Sequence, residues 1–235
     1  MIDADPQKTF LFDTGDSVCV VPESGKESSI DDLRESLEYL SLISAGYKYA
    51  VQGNHDKAHT DSEKIASLYK DSGFVYTDKL GLVVPGPRLS EVSSWPFLIL
   101  TAPDFTTRQE DWYSSLEADQ FIKTLENLPA NQLTLLLTHN PSMIDTWQGG
   151  RVANILKEKK VIVFSGHTHG GQLNTTSPIQ NLAMIVGREA KNYDSKLIKG
   201  IYRMGSSIVN VNSGVGYFKG IRTLQPSFDV FEFRR

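Results

Sequence analysis

The sequence predicts an α/β fold, and three observations carry the prediction. Strand-like and helix-like segments alternate through the middle of the chain, the tail is strand-rich without intervening helices, and the polar motifs fall just after strand-like runs. The 235 residues suit one domain over 1–235 and are ample to bury a core.

Each element follows from local pattern. Residues 8–13 (KTFLFD) read as a short buried strand ending in a glycine-containing turn, and 17–28 as a loop. A helix is predicted over 30–43: Ser28 or Ser29 can cap it, acidic residues occupy its first turn, and Ile30, Leu33, Leu37, Leu40 and Ile43 share one face. Gly46 ends it. Residues 47–51 form the next strand, which runs into Gly53-Asn54-His55-Asp56. Thr60-Asp61-Ser62-Glu63 has the form of a capping box and opens a helix that reaches about 70. Residues 74–76, 80–84 and 97–101 read as strands and 116–128 as a helix. Residues 133–138 are a largely apolar strand tipped by His139-Asn140-Pro141. A helix over 152–159 ends in lysines that suit its dipole. The strand at 161–164 leads into Gly166-His167-Thr168-His169-Gly170-Gly171, and strands at 200–204, 208–211 and 228–233 complete the tail.

Composition excludes several classes. With 40% hydrophobic and 22% charged residues and a mean hydropathy of -0.27, the chain is neither disordered, fibrous nor membrane-spanning. A net charge of -4 and the lack of a strong Lys/Arg cluster argue against a nucleic-acid-binding patch. Cys19 is the single cysteine, which rules out an intramolecular disulfide and argues against a cysteine-based zinc site. The longest apolar runs are strand-sized, and residues 1–6 are acidic and polar, unlike a signal peptide. The expected location is cytoplasmic, or peripheral at a membrane.

Four of the five histidines sit in three short polar motifs. Asp16, Asn54, His139, His167 and His169 each lie in a loop after a predicted strand. A hydrolytic two-metal site needs such a mix, since one carboxylate must bridge two cations while neutral imidazoles and an amide oxygen complete the shells. Two ions about 3.5–4 Å apart then activate water and bind attacking and leaving oxygens. Each residue has a plainer reading: Asp16 as a turn aspartate, Asn54-His55-Asp56 as an Asx-turn or helix entry, His139 as a core histidine. The His167-Thr168-His169 pair resists it, because its three flanking glycines add no packing and let backbone approach a ligand. His59 reads as a solvated loop residue.

These motifs, in this order, resemble the calcineurin-like metallophosphoesterase superfamily, and within it the bacterial phosphodiesterase-like branch marked by GHTHGGQ. The family's sequence of motifs is D-x-H, G-D, G-N-H-[DE], a lone strand-tip His, then G-H-x-H. Gly15-Asp16 resembles the second, Gly53-Asn54-His55-Asp56 the third, Thr138-His139-Asn140-Pro141 the fourth and Gly166 to Gln172 the fifth. The resemblance runs from about Phe10 through Gly200-Ile201-Tyr202 and Val211-Asn212-Ser213-Gly214 to Arg222. It implies a four-layer α/β/β/α sandwich with divalent cations, two in number and drawn from Mn, Fe, Zn, Co or Mg, at the strand C-terminal ends. Asp16 would bridge them; Asn54, His139 and His167 would complete one position and His169 would belong to the other. His55 would sit by the leaving-group oxygen, oriented by Asp56. The implied reaction is hydrolysis of a phosphate mono- or diester by in-line attack of a metal-bound hydroxide.

The chain departs from the pattern at one place. Only fifteen residues precede Asp16, and no D-x-H motif with its strand and helix lies among them. Asp3-Ala4-Asp5 lacks a preceding strand, and Asp13, three residues before Asp16, should point to the opposite sheet face. One metal position therefore keeps Asp16, Asn54, His139 and His167, while the other keeps Asp16 and His169. The missing or shortened N-terminal unit also leaves a strand edge exposed. Three explanations stay open: a longer parent enzyme, a naturally shortened form with one metal and weak activity, or a catalytically inactive scaffold that binds through the old site. For substrate contacts, residues 73–127 offer Trp95, Asp104, Phe105, Arg108 and Trp112, and Arg151 or Arg222 could meet a phosphate; Arg108 and Arg222 are the candidates chosen. The resemblance implies a phosphorylated small-molecule or lipid-linked substrate and allows membrane association through an N-terminal segment.

Overall fold

The computed structural model describes residues 5, 9–18, 20–21, 26–27, 29–83, 97–102, 104, 116–145, 150–168, 197, 199–214 and 229–232. In the first half these form β1 (Phe10–Asp13), β2 (Val20–Val21), β3 (Lys26–Glu27), α1 (Ile30–Ser41), β4 (Tyr47–Val51), α2 (Asn54–Ala58), α3 (Ser62–Asp71) and β5 (Val75–Thr77). The second half contains β6 (Gly81–Val83), β7 (Phe97–Ala102), α4 (Leu116–Glu126), β8 (Leu133–Thr138), α5 (Ser142–Asp145), α6 (Arg151–Glu158), β9 (Val161–Ser165), β10 (Gly200–Met204) and β11 (Ser207–Val211).

Two sheets carry the molecule. The smaller has the order β1-β4-β5, all parallel, with β1 at one edge among the described residues. The larger runs β10-β11-β9-β8-β7-β6, with four parallel inner strands and antiparallel strands at both edges. They face each other through an aromatic layer. Phe10 lies 5.1 Å from Phe97, and Phe12 lies 5.1 Å from Phe164, ring centre to ring centre. Tyr49, Val51, Ile99, Leu135 and Leu137 fill the same layer.

Helices close both outer faces. Leu33 and Leu37 of α1 and Ile65 and Tyr69 of α3 pack on the small sheet, and Phe121, Ile122 and Leu125 of α4 with Val152 and Leu156 of α6 pack on the large one. Alternating side chains on each strand thus serve two separate cores, which gives the α/β/β/α sandwich. Burying each large apolar side chain contributes about 1.5–3 kcal/mol. Parallel strands place their C-terminal ends together, so the loops after β1, β4, β8 and β9 gather at one rim. No helix among the described residues is long and apolar enough to cross a membrane.

Some local expectations shift. Ser29 is the residue that caps α1, its hydroxyl accepting from the Asp31 N–H at 3.0 Å. The supposed loop at 17–28 contains the β2–β3 hairpin. Thr60 does not cap α3. The N-cap is Asp61, without a side-chain bond, and its backbone N–H donates to His59 Nδ1 at 3.0 Å. His59 is accordingly buried, at 5% exposure, and not solvated. The expected strand at 228–233 is absent at 229–232. There the chain is tied down instead by Asp229, which accepts from the side-chain amides of Asn210 (2.8 Å) and Asn212 (2.7 Å).

Candidate metal centre

Four side chains from four loops converge at the shared rim. Asp16 follows β1, Asn54 opens α2 after β4, His139 caps β8 and His167 follows β9. His139 Nε2 lies 3.0 Å from Asp16 Oδ2, 2.9 Å from Asn54 Oδ1 and 3.0 Å from His167 Nδ1. His167 Nδ1 is in turn 3.0 Å from Asn54 Oδ1. Neighbouring ligand atoms at about 2.1 Å from one cation, at right angles, stand about 3 Å apart, so the spacing fits a shared ion.

The hydrogen bonds around this cluster leave the same atoms facing inward. His139 donates Nδ1–H to the Thr14 carbonyl at 2.7 Å, which turns the lone pair of a neutral ring toward the cluster at Nε2. The His55 backbone N–H donates to Asp16 Oδ1 at 2.8 Å. Asp16 Oδ2 is buried and accepts no well-aligned hydrogen bond, although His139 Nε2 is near. His139 Nε2 carries at most one hydrogen for three neighbours. A divalent cation satisfies all of them, with one carboxylate, one amide oxygen and two imidazoles leaving a net positive site. The residues present therefore fit a metal. Asp16, His139 and His167 form the cluster of potential metal-binding side chains among the described residues.

Electrostatics agree with the geometry. Burial pushes the Asp16 carboxyl up, but the His139 and His55 imidazoles and the His55 N–H outweigh it and hold it down at about 2. Burial pushes His139 down, but the Asp16 carboxylate, with help from Asp104 and the Thr14 carbonyl, raises it to about 9. Without a cation the site retains a proton in the same place.

The backbone is shaped for this convergence. Asp16 (φ 62) and His167 (φ 64) are the non-glycine residues with positive φ among those described. Such conformations cost roughly 1–3 kcal/mol each and concentrate at functional sites. A Cβ on Gly53 would lie 2.2 Å from Asp16 Oδ1, and one on Gly166 would lie 2.7 Å from Thr14 Oγ1, so these glycines let the loops close up. Ser165 Oγ–H and the Gly166 N–H both donate to the His139 carbonyl at 2.9 Å, joining the ends of β8 and β9.

The remaining expected residues fall in several places. His55 is half-buried on α2 beside Asn54. Asp56 is fully buried. Its carboxylate accepts from the N–H groups of Asp16 (2.8 Å), Gly53 (2.9 Å), Ser17 (3.0 Å) and Val18 (3.3 Å). It thus anchors the Asp16 turn, whereas the family resemblance implies a partnership with His55. Burial and the Asp16 carboxylate push it up to about 6, against the pull of the Gly53 and Asp16 N–H groups. His169, Arg108 and Arg222 lie outside the described residues, as do Trp95, Phe105 and Trp112. Asp104 is buried after β7, at 5% exposure, close enough for its charge to act on His139.

Asp13 is engaged elsewhere. Its oxygens accept from the Gly15 N–H (3.0 Å), the Tyr69 hydroxyl (2.6 Å) and Ser17 Oγ (3.2 Å). Sequence reading had no signal for Tyr69, an aromatic at helical spacing that looks like any core residue.

The model of the calcineurin-like phosphoesterase family matches residues 2–171, a span that contains all four converging residues. The chain belongs to this family. It is a phosphoesterase of the metal-binding, hydrolase class. Among solved structures, the phosphoesterase is similar to a phosphopantetheinyl hydrolase from Mycobacterium tuberculosis, with 14% identity, 69% of this chain and 73% of that chain covered, and a TM-score of 0.37. No curated protein matches it.

Proposed function

We propose that this phosphoesterase hydrolyses phosphate mono- or diesters with divalent cations at the Asp16 cluster. The carrying observation is the convergence of Asp16 Oδ2, Asn54 Oδ1, His139 Nε2 and His167 Nδ1 at 2.9–3.0 Å around His139. When bound, such cations supply Lewis-acid activation of water and neutralise charge on phosphoryl oxygens. The chain's residues do the rest. His139, locked by Thr14, and His167 offer neutral nitrogen donors. Asn54 adds an oxygen without charge, so the site stays attractive to a phosphate. Asp16, with Oδ1 held by the His55 N–H, would present Oδ2 as the charged ligand. His55 would protonate or stabilise a leaving oxygen. His169 would serve a second cation, and Arg108 and Arg222 would meet the substrate.

The substrate class in this reading is a phosphorylated small molecule or a lipid-linked phosphate, with peripheral membrane association in the second case. Its support is the resemblance of the GHTHGGQ motif alone. The test is Mn²⁺-dependent release of p-nitrophenol from p-nitrophenyl phosphate and from its bis ester. Hydrolysis that needs the metal and disappears in His139→Ala supports the proposal. If Mn²⁺, Co²⁺, Zn²⁺ and Mg²⁺ all bind without turnover, the inactive-scaffold reading replaces it.

A further inference from the structure

We infer that Tyr69, acting through Asp13 and Ser17, is a positioning residue that sets how tightly the Asp16 turn holds a metal. The inference rests on the metal-binding reading above.

The turn has an unusual backbone. Gly15 (φ 87) and Asp16 (φ 62) are consecutive left-handed residues. Four successive N–H groups, from Gly15 to Val18, point at two carboxylates: Gly15 at Asp13, and the next three at Asp56. Asp56 is held by these N–H groups and by that of Gly53, but Asp13 needs something to fix its second oxygen. Tyr69 supplies it. Its hydroxyl reaches across from α3, 56 residues away in sequence, and donates to Asp13 Oδ2 at 2.6 Å. Ser17 Oγ donates to the same oxygen at 3.2 Å and also meets the Tyr69 hydroxyl.

Packing alone does not require that hydroxyl. Tyr69 is fully buried, its ring stacked on Tyr76 at 4.9 Å and edge-on to Phe74 at 5.4 Å, contacts a phenylalanine would keep. A buried hydroxyl is costly unless hydrogen-bonded, and here its acceptor is the carboxylate that grips the turn. Groups that orient a ligand from behind typically change metal affinity by about 10–100-fold.

The experiment is calorimetric titration of Mn²⁺ into the metal-free protein, alongside its thermal unfolding. Tyr69→Phe and Ser17→Ala should each bind Mn²⁺ about 10–100-fold more weakly than wild type. Ser17→Thr, which keeps the hydroxyl, should retain wild-type affinity, and the metal-free unfolding temperature of Tyr69→Phe should stay well above the assay temperature. Wild-type affinity in a folded Tyr69→Phe would overturn the positioning role while leaving the metal site standing. Should Tyr69→Phe fail to fold, the Ser17 pair decides: equal affinity in Ser17→Ala and Ser17→Thr rejects the inference. A wild-type protein that binds no Mn²⁺ removes the metal reading and this inference together.

Discussion

His139 Nε2 stands 3.0 Å from Asp16 Oδ2, across 123 positions of sequence, while the other nitrogen of the same ring is committed to the Thr14 carbonyl at 2.7 Å. The pair can hold either a proton or a metal, and this competition governs its dependence on pH.

His139 is raised to about 9 without metal, so at neutral pH a cation must displace its proton. Mn²⁺ affinity should therefore rise by about tenfold per pH unit between about 7 and 9, then level off, with one proton released per ion. Calorimetry in buffers of different ionisation enthalpy reads both. For the metal-free fold the sign is opposite. A group raised from 6.5 to about 9 contributes stability that is complete below 6.5 and is lost as pH rises through 9. Asp16, lowered from 3.8 to about 2, contributes stability present above 3.8 and lost as pH falls through 2. The pair should thus stabilise most between 3.8 and 6.5. Thermal midpoints of metal-free protein should fall from pH 6.5 to 9.5, and His139→Gln should flatten that slope. A Kd independent of pH from 7 to 9 would falsify the account.

The left-handed backbone of His167 (φ 64) makes a separable prediction. Both His167→Ala and His167→Gly remove the imidazole, so both should weaken metal binding. Only glycine relieves the strain. The glycine variant should be the more stable of the two by about 1 kcal/mol, measured by urea unfolding of metal-free protein. Equal stability of the two variants would show that the turn stores no strain.

Asp56 offers a third test. Removing its carboxylate leaves the N–H groups of Gly53, Asp16, Ser17 and Val18 without that acceptor. Asp56→Ala should lose on the order of 3 kcal/mol in urea unfolding at pH 7, and its Mn²⁺ affinity should fall as well because the Asp16 turn loosens. Unchanged stability would mean that water replaces the carboxylate at no cost.

Much of this architecture is readable locally. β4, β8 and β10 have the predicted limits, because runs such as Leu133–Thr138 carry strand propensity within themselves. Asn54, His139 and His167 are recognisable because each sits beside a strand end and a glycine, proline or histidine that marks a loop motif. The alternation rule expects Asp13 to point away from Asp16, and in the structure its carboxylate meets Tyr69 of α3. The residue types and the order of the loops were thus settled by neighbours in the chain, through backbone propensity and side-chain period. Which atoms meet was not. Asp56 lies next to His55 in sequence but bonds to a turn some 40 residues earlier, His59 is drawn inward by the Asp61 N–H, and Tyr69 selects Asp13 over a distance of 56 residues. Those choices depend on how two sheets and their helices stack, because burial forces every polar group to find a partner in three dimensions, and no local pattern records which partner the packing brings near.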